Sequence, residues 1–162
     1  RADYDLTQHS KFSGKDLSYT DPQTGEKYIP NIVETSGGVD RTFLFLLLDS
    51  YEEETLDNGE IRTVLKINPE IAAYKAAVFP LVSNKPEIAN MAREIFEKLT
   101  DTKKVVWDAR GNIGKRYRYQ DEIGTPYCIT VDYQTLEDNT VTVRDRDTME
   151  QKRVSIEELA DL

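Results

Sequence analysis

The sequence predicts an α/β fold with a mixed sheet in the second part of the chain. From Ala76 onward, apolar strand-like runs alternate with helix-like segments, the pattern of parallel strands joined by crossover helices. Near the end, TVTVRDRD and QKRVSI follow as two further strands that can pair as a hairpin across DTME, which predicts an antiparallel edge. Near Asn68 and Pro69 the sequence changes from turn-rich segments to this alternating pattern. We therefore predict a boundary there, followed by about 90 residues, an ordinary size for one domain.

The sequence of the first part of the chain predicts loops, one strand and one helix. Residues 1–27 are polar and rich in turn residues, so we expect loops. YIPNIVE, residues 28–34, has the composition of a strand, and Pro30 favours an edge position. Residues 42–51 lack glycine and proline and are apolar on every face, which predicts a helix buried nearly all round. DNGE then indicates the turn of a hairpin.

The second part predicts helices between three buried strands. AAVFPLV, KKVVWDA and PYCITVDY are the strands, and residues 86–99 form an amphipathic helix. Asn112 can cap a helix over residues 113–123, which Gly124 ends. A last short helix is predicted for residues 157–162.

Composition excludes several classes of protein. The net charge of −9 argues against nonspecific binding to nucleic acid by bulk electrostatics. Cys128 is the only cysteine and His9 the only histidine, so disulfide frameworks, multi-cysteine zinc sites and histidine-based catalysis are disfavoured. Cys128 lies in a strand pattern and is expected to be buried. No apolar segment approaches the roughly 20 residues of a membrane span, and we expect a cytoplasmic protein.

The segment ETSGGVDR, residues 34–41, has the chemistry of an anion site. Its glycines allow a ligand to approach the backbone, and Arg41 offers a five-donor fork suited to phosphate or carboxylate. A helix starting there would add partial positive charge. The alternative is a plain strand–turn–helix corner with Asp40 as a cap and Arg41 on the surface. Chemistry alone favours that corner, because short glycine-containing motifs match by chance.

A second candidate site lies in GNIGKRYRYQDEIG, residues 111–124. Residues 103–118 carry six basic side chains against one acid, a basic stripe on an acidic protein. At helical spacing Lys115, Arg118 and Glu122 share one face, with Arg116 and Gln120 beside it, and basic, aromatic and amide groups together suit RNA. The alternative is a solvated face with internal ion pairs such as Arg118 with Glu122. In VTVRDRD, Arg144 and Arg146 can likewise contact RNA or form cross-strand pairs.

These residues resemble a known family. RADYDL at residues 1–6, KYIPNIVETSGGVDR at 27–41 and the run GNIGKRYRYQDEIG onward to residue 151 are similar to the C-terminal portion of glycyl-tRNA synthetase of the dimeric class II type. GVDR before an apolar helix resembles the third signature motif of class II synthetases. The resemblance implies a mixed-sheet anticodon-binding domain at residues 70–162. It also implies that residues 1–69 are the tail of an antiparallel-sheet α+β catalytic domain, with a linker.

The resemblance also implies an activity. Enzymes of this family join glycine to ATP and pass the glycyl group to glycine tRNA, with Mg²⁺ assisting the phosphates, and they act as homodimers. By resemblance, the tRNA-binding residues are Lys115, Arg116, Arg118, Gln120, Arg144 and Arg146. The catalytic residues are Arg1 and Arg41; the ATP-binding residues are Gly38, Val39, Asp40 and Arg41; the glycine-binding residues are Glu34, Thr35, Ser36, Gly37 and Gly38. No protein-bound metal site is predicted.

Two features separate the functional hypotheses. The chain begins at Arg1 without methionine and lacks the two upstream signature motifs, so we expect a piece of a longer ligase that does not activate glycine alone and binds no cofactor by itself. The net charge instead favours a standalone interaction module with a synthetase-like fold and no tRNA binding. A nucleotide-binding enzyme unrelated to tRNA is a third hypothesis, weakened by the lack of a second phosphate-binding element.

Overall fold

The computed structural model describes residues 1–161, which divide into two compact units, residues 1–42 and residues 43 onward. The domain boundary predicted near residue 69 stays a prediction. The predicted mixed α/β fold is confirmed in the second unit, whereas the assignment of the first part to a catalytic domain stays a prediction.

The first unit differs from its predicted structure in two places. Helix α1, Tyr4–Ser13, occupies part of the predicted loop and ends where Gly14 takes φ 69°. Strands β1, Tyr19–Thr20, and β2, Lys27–Tyr28, pair over only two positions. The strand predicted for residues 28–34 is therefore wrong beyond Tyr28: Pro30 has no N–H to donate, and the rest has no neighbouring strand among the described residues.

Helix α2, Val39–Ser50, leads into a hairpin of β3, Tyr51–Thr55, and β4, Ile61–Leu65. The hairpin confirms the turn predicted from DNGE. Among the described residues only Ser50 of this helix is buried, so its burial inside a larger domain stays a prediction. Phe43 and Phe45 are 58% and 61% exposed, so the apolar helix has no described neighbour that covers it.

The core of the second unit is a five-stranded sheet in the order β6-β5-β7-β8-β9. Its first three strands are parallel, and β8 and β9 add the predicted antiparallel edge. The elements are β5 Ala76–Pro80, α3 Pro86–Thr100, β6 Val105–Trp107, α4 Ile113–Ile123, β7 Tyr127–Val131, α5 Thr135–Asp138, β8 Thr140–Asp145, β9 Gln151–Ser155 and a 3-10 helix Glu157–Asp161. The helix α5 was not predicted, and the last residue of the predicted terminal helix, 162, lies outside the described residues.

The sheet is covered by a helix on each face. Residues pointing to one face pack against the buried stripe of α3, which consists of Ile88, Ala92, Ile95 and Leu99. Ala77, Phe79 and Cys128 point to the other face and pack against α4. Because β5 is buried on both faces, it is a continuous apolar run rather than an alternating one.

Helix α4 is fixed to the domain by a buried ion cluster centred on Asp121. The Asp121 side chain is 2% exposed and accepts from Arg62 Nε at 2.8 Å and from Arg144 Nη1 and Nη2 at 2.8 and 3.1 Å. One carboxylate on α4 therefore joins the hairpin, through Arg62, to strand β8, through Arg144.

The hairpin approaches α4 closely where the helix ends. Gly124 takes φ 81°, and a Cβ there would lie 2.8 Å from Ile67 Cγ2, so only glycine fits. The Arg146 guanidinium donates to the carbonyl oxygens of Ile67 and Gly124 at 2.9 and 2.8 Å. Arg62 in turn donates to the Arg146 carbonyl and to Glu54. Hairpin, helix end and sheet thus form one polar, buried junction.

We expect Asp121→Asn to destabilise the second unit strongly. The amide keeps the shape but removes the carboxylate that faces the buried Arg144 and one of the two carboxylates that face the buried Arg62, which costs about 3–5 kcal/mol. Urea unfolding of the chain, followed by circular dichroism, measures the loss. The matched control is Glu150→Gln, which removes a carboxylate from the exposed Lys152 pair. Equal unfolding midpoints for the two variants would contradict the role given to Asp121.

We expect Cys128 to be unreactive in the folded protein. Burial raises the pKa of its thiol to about 12, so the reactive thiolate is scarce at pH 8. Iodoacetamide labelling followed by peptide mapping should modify Cys128 rapidly in denaturant and very slowly in native buffer. Comparable rates in the two conditions would mean that this face of the sheet opens readily.

Candidate functional site

The exposed face of α4 borders an open groove of about 680 Å³. One wall is the end of β6 with the loop that follows it, and the other is α4 itself. The helix is placed by its caps: the Asn112 side chain accepts from Lys115 N at 2.9 Å, and Gly124 stops it in the left-handed conformation. The groove is lined by Tyr74, Val106, Trp107, Asp108, Arg110, Gly111, Lys115, Tyr119, Gln120, Glu122 and Ile123.

The accessible groups of this groove are cations and aromatic rings, together with the Glu122 carboxylate and Ile123. The Arg110 side chain is 91% exposed, Lys115 is exposed, and the rings of Tyr119 and Tyr74 are 55% and 39% exposed. Ile123 is 46% exposed and also lines the groove. Such a surface can hold phosphates with its cations and unpaired bases with its rings.

Asp108 orders the loop at the mouth of the groove. Burial disfavours its charged form, but hydrogen bonds from the Arg110 main-chain N at 2.9 Å and guanidinium at 3.2 Å outweigh it, so the pKa of Asp108 is lowered. The carboxylate therefore stays ionised at neutral pH and keeps Arg110 at the surface.

Four of the six predicted tRNA-binding side chains are buried. Arg116 and Gln120 lie on the inner face of α4, where Gln120 Oε1 accepts from Thr125, and the two strand arginines belong to the hairpin junction. The inner face of the helix thus carries buried polar side chains beside the apolar Ile113 and Tyr117, which sequence periodicity could not reveal. The four buried residues are Arg116, Gln120, Arg144 and Arg146.

The remaining two predicted residues lie on the outer face. Lys115 is exposed, and Arg118 is 40% exposed and donates to the Glu60 carboxylate of the hairpin turn and to the Ile61 carbonyl. The internal pair of Arg118 is therefore with Glu60 and not with Glu122.

The basic stripe of residues 103–118 does not form one surface. Lys103 and Lys104 precede β6 and border a different groove, whereas Arg110 and Lys115 follow it. Strand β6 separates the two groups. Sequence reasoning missed Tyr74 and Tyr119 as candidate ligand groups, and the signal for Tyr119 was its place on the Lys115 face of the helix.

The predicted glycine and ATP residues lie together in the first unit. Residues 34–38 are an exposed, irregular segment before α2, and Val39, Asp40 and Arg41 form the exposed first turn of that helix. Thr42 donates to the Gly38 carbonyl through its main-chain N at 3.0 Å and its hydroxyl at 3.1 Å. Arg1 pairs with Asp5 at 3.0 Å.

The described residues lack two further kinds of feature. Residues 1–161 contain no group of three or more His, Cys, Asp or Glu side chains arranged to hold a metal ion. None of the helices in this range has the length and apolar content needed to cross a bilayer.

Comparison with known proteins gives consistent relatives. The chain is 54% identical over 159 residues to glycine–tRNA ligase of Clostridium tetani and 56% identical to that of Alkaliphilus metalliredigens, in each case over 98% of this chain and 34% of the relative. It is 53% identical to the Borreliella burgdorferi ligase, over 98% and 36%. The chain thus spans about a third of the length of these curated relatives.

One solved structure and one family also match the chain. The RNA-binding domain of threonyl-tRNA synthetase from Cryptosporidium parvum matches with a TM-score of 0.49 and 21% identity, over 54% of this chain and 22% of that one. Residues 75–162, more than half of the chain and including the sheet, α3 and α4, match the family described as "Anticodon binding domain". The chain belongs to the anticodon-binding domain family.

Proposed function

We propose that this chain is the tRNA-binding part of a glycine–tRNA ligase, an enzyme that activates glycine with ATP and transfers it to glycine tRNA. The match of residues 75–162 to the anticodon-binding domain family is the observation that carries the proposal. The identities of more than one half to glycine–tRNA ligases support glycine as the amino acid.

The outer face of α4 and the adjoining groove are the proposed RNA surface. Lys115 and Arg118, with Arg110 from the loop, provide cations for phosphates, and Tyr119 and Tyr74 provide faces on which unpaired bases stack. An open groove of this kind suits the splayed bases of a loop better than a regular duplex, whose bases are stacked inside. The four buried predicted residues support this surface from below.

Because the chain is acidic, RNA binding depends on nearby cations and not on long-range attraction. A protein with net charge −9 repels a polyanion at long range, so attraction depends on a small cationic patch. Arg118 is shared with Glu60, and RNA must compete with that carboxylate for it. We therefore infer a binding surface with few phosphate contacts and a modest salt dependence.

We propose that the first unit contributes to the glycine and ATP site of the longer enzyme. Arg41 lies in the first turn of α2, where the helix N-terminus adds partial positive charge that suits a phosphate. Glu34 can meet the ammonium group of glycine. Mg²⁺ would arrive with the ATP phosphates, and the enzyme would act as a homodimer. The proposed residues are Arg1, Glu34, Thr35, Ser36, Gly37, Gly38, Val39, Asp40 and Arg41.

We expect the native protein to bind glycine tRNA more tightly than a transcript whose anticodon is replaced, and Lys115→Ala to weaken binding. Loss of one phosphate contact should reduce the slope of log K against log salt by roughly 1. Filter binding or fluorescence anisotropy at several salt concentrations measures both quantities.

Two further variants sharpen this test. Tyr119→Ala should lower affinity by about 1–3 kcal/mol without changing the salt slope, because stacking releases no counterions. Lys98→Ala, an exposed lysine on α3, is the matched control and should change neither. Equal binding of the two transcripts, unaffected by Lys115→Ala, would reject the proposal and favour an interaction module without tRNA binding.

In the full-length enzyme, we expect Arg41→Ala to lower glycine-dependent pyrophosphate exchange by about 100-fold, since it removes a charge that faces the reacting phosphates. The exposed Lys11→Ala in α1 is the control and should leave exchange unchanged. The 162-residue chain alone should show no exchange. Robust exchange by that chain, or normal exchange by Arg41→Ala, would contradict the proposed site.

A further inference from the structure

A buried arginine on α4 binds main-chain carbonyl groups from two parts of the sheet edge. Arg116 is 2% exposed. Its Nη1 donates to the Pro80 carbonyl at 2.6 Å, its Nε to Arg110 O at 3.0 Å, and its Nη2 to Gly111 O at 2.9 Å and Ala109 O at 3.4 Å. All four hydrogen bonds of this guanidinium thus go to carbonyl oxygens.

This pattern requires the planar fork of a guanidinium. Pro80 ends strand β5, and residues 109–111 form the loop after β6, so one side chain ties the loop to the neighbouring strand. A lysine ammonium has three donors on one atom and cannot reach carbonyls spread on both sides of the fork. Burial lowers the pKa of Arg116, but the shift leaves an arginine charged.

The loop fixed in this way carries the most exposed cation of the groove. Arg110 contributes its carbonyl to Arg116, while its side chain, 91% exposed, points away beside Asp108. Gly111, at φ 63°, contributes the next carbonyl and lines the groove. The position of the groove wall therefore depends on Arg116, although Arg116 itself does not reach the surface.

We propose that Arg116 is a positioning residue for RNA recognition: it holds the loop of residues 108–112 so that Arg110 faces the RNA across the groove from Lys115 and Tyr119. This inference rests on the proposed function, because it assigns the groove to RNA. It gives Arg116 an indirect role in place of the direct tRNA contact predicted from the sequence.

The test compares charge-preserving exchanges in the full-length protein. Lys98→Arg, at an exposed lysine of α3 outside the groove, keeps its charge and should retain affinity for glycine tRNA. Arg116→Lys also keeps the charge but loses the fork, and should lower affinity about tenfold, the size of one lost RNA contact. Hydrogen exchange of the amides of residues 108–112, without RNA, should be faster in Arg116→Lys than in the unmodified protein.

Two more variants separate positioning from general damage. Arg153→Lys alters an arginine with several hydrogen bonds on β9, at the opposite edge of the sheet, and should leave tRNA affinity and loop exchange unchanged. Gly111→Ala strains the loop at positive φ, meets no atom within 4 Å, and removes no charge. It should lower affinity in the same direction as Arg116→Lys, and it keeps the proposal testable if Arg116→Lys does not fold.

The outcomes are distinguishable. Full affinity of Arg116→Lys for glycine tRNA would mean that charge alone matters and would overturn the proposal. Unchanged hydrogen exchange of the loop amides in this variant would overturn it as well. Full affinity in Gly111→Ala would also overturn it. If the unmodified protein does not bind glycine tRNA, the proposed function fails and the role toward RNA falls with it, whereas faster loop exchange in Arg116→Lys would still show that this residue orders the loop.

Discussion

A single buried carboxylate, Asp121, determines how the second unit is assembled. It lies between the guanidinium groups of Arg62 and Arg144, and all three side chains are almost inaccessible to water. Burying three charges costs several kcal/mol per ion, which close bidentate geometry offsets only when every partner is present. The hairpin, α4 and β8 must therefore be in place together, and the surface of α4 has a defined orientation because its inner face is fixed in this way.

The buried polar contacts of the second unit also make part of its basic side chains inaccessible to solvent. The basic residues of α4 and of β8 with the residue after it divide into two groups: Arg116, Arg144 and Arg146 bind carbonyls and carboxylates inside, while Lys115 and Arg118 lie on the outer face. Buried arginines add rigidity without adding accessible positive charge. Nonspecific attraction to polyanions stays low because the net charge of the chain is −9.

The sequence was sufficient where local signals agreed. Asn112 and Gly124 bounded α4 correctly because caps act within one turn of the helix, and the alternation of strands with helices predicted the mixed sheet. The sequence was insufficient where the structure of a segment depends on contacts with residues far away in the chain. The strand predicted from residue 28 lacks a neighbour, and helical spacing placed Arg116 beside the exposed face without showing what covers it. The pair of Arg62 with Asp121 spans 59 residues, a separation that no local pattern reveals.

The hairpin of β3 and β4 belongs to the same folding unit as α4, although the family match begins only at residue 75. Arg62 and Gly124 explain why. Without the hairpin, Asp121 would lose one of its two arginines. The end of the hairpin also approaches Gly124 so closely that no Cβ fits there. The segment between α2 and β5 is consequently not a free linker. The main-chain N of Lys66 donates to the Ser50 carbonyl, so the hairpin holds the end of α2 at the buried junction.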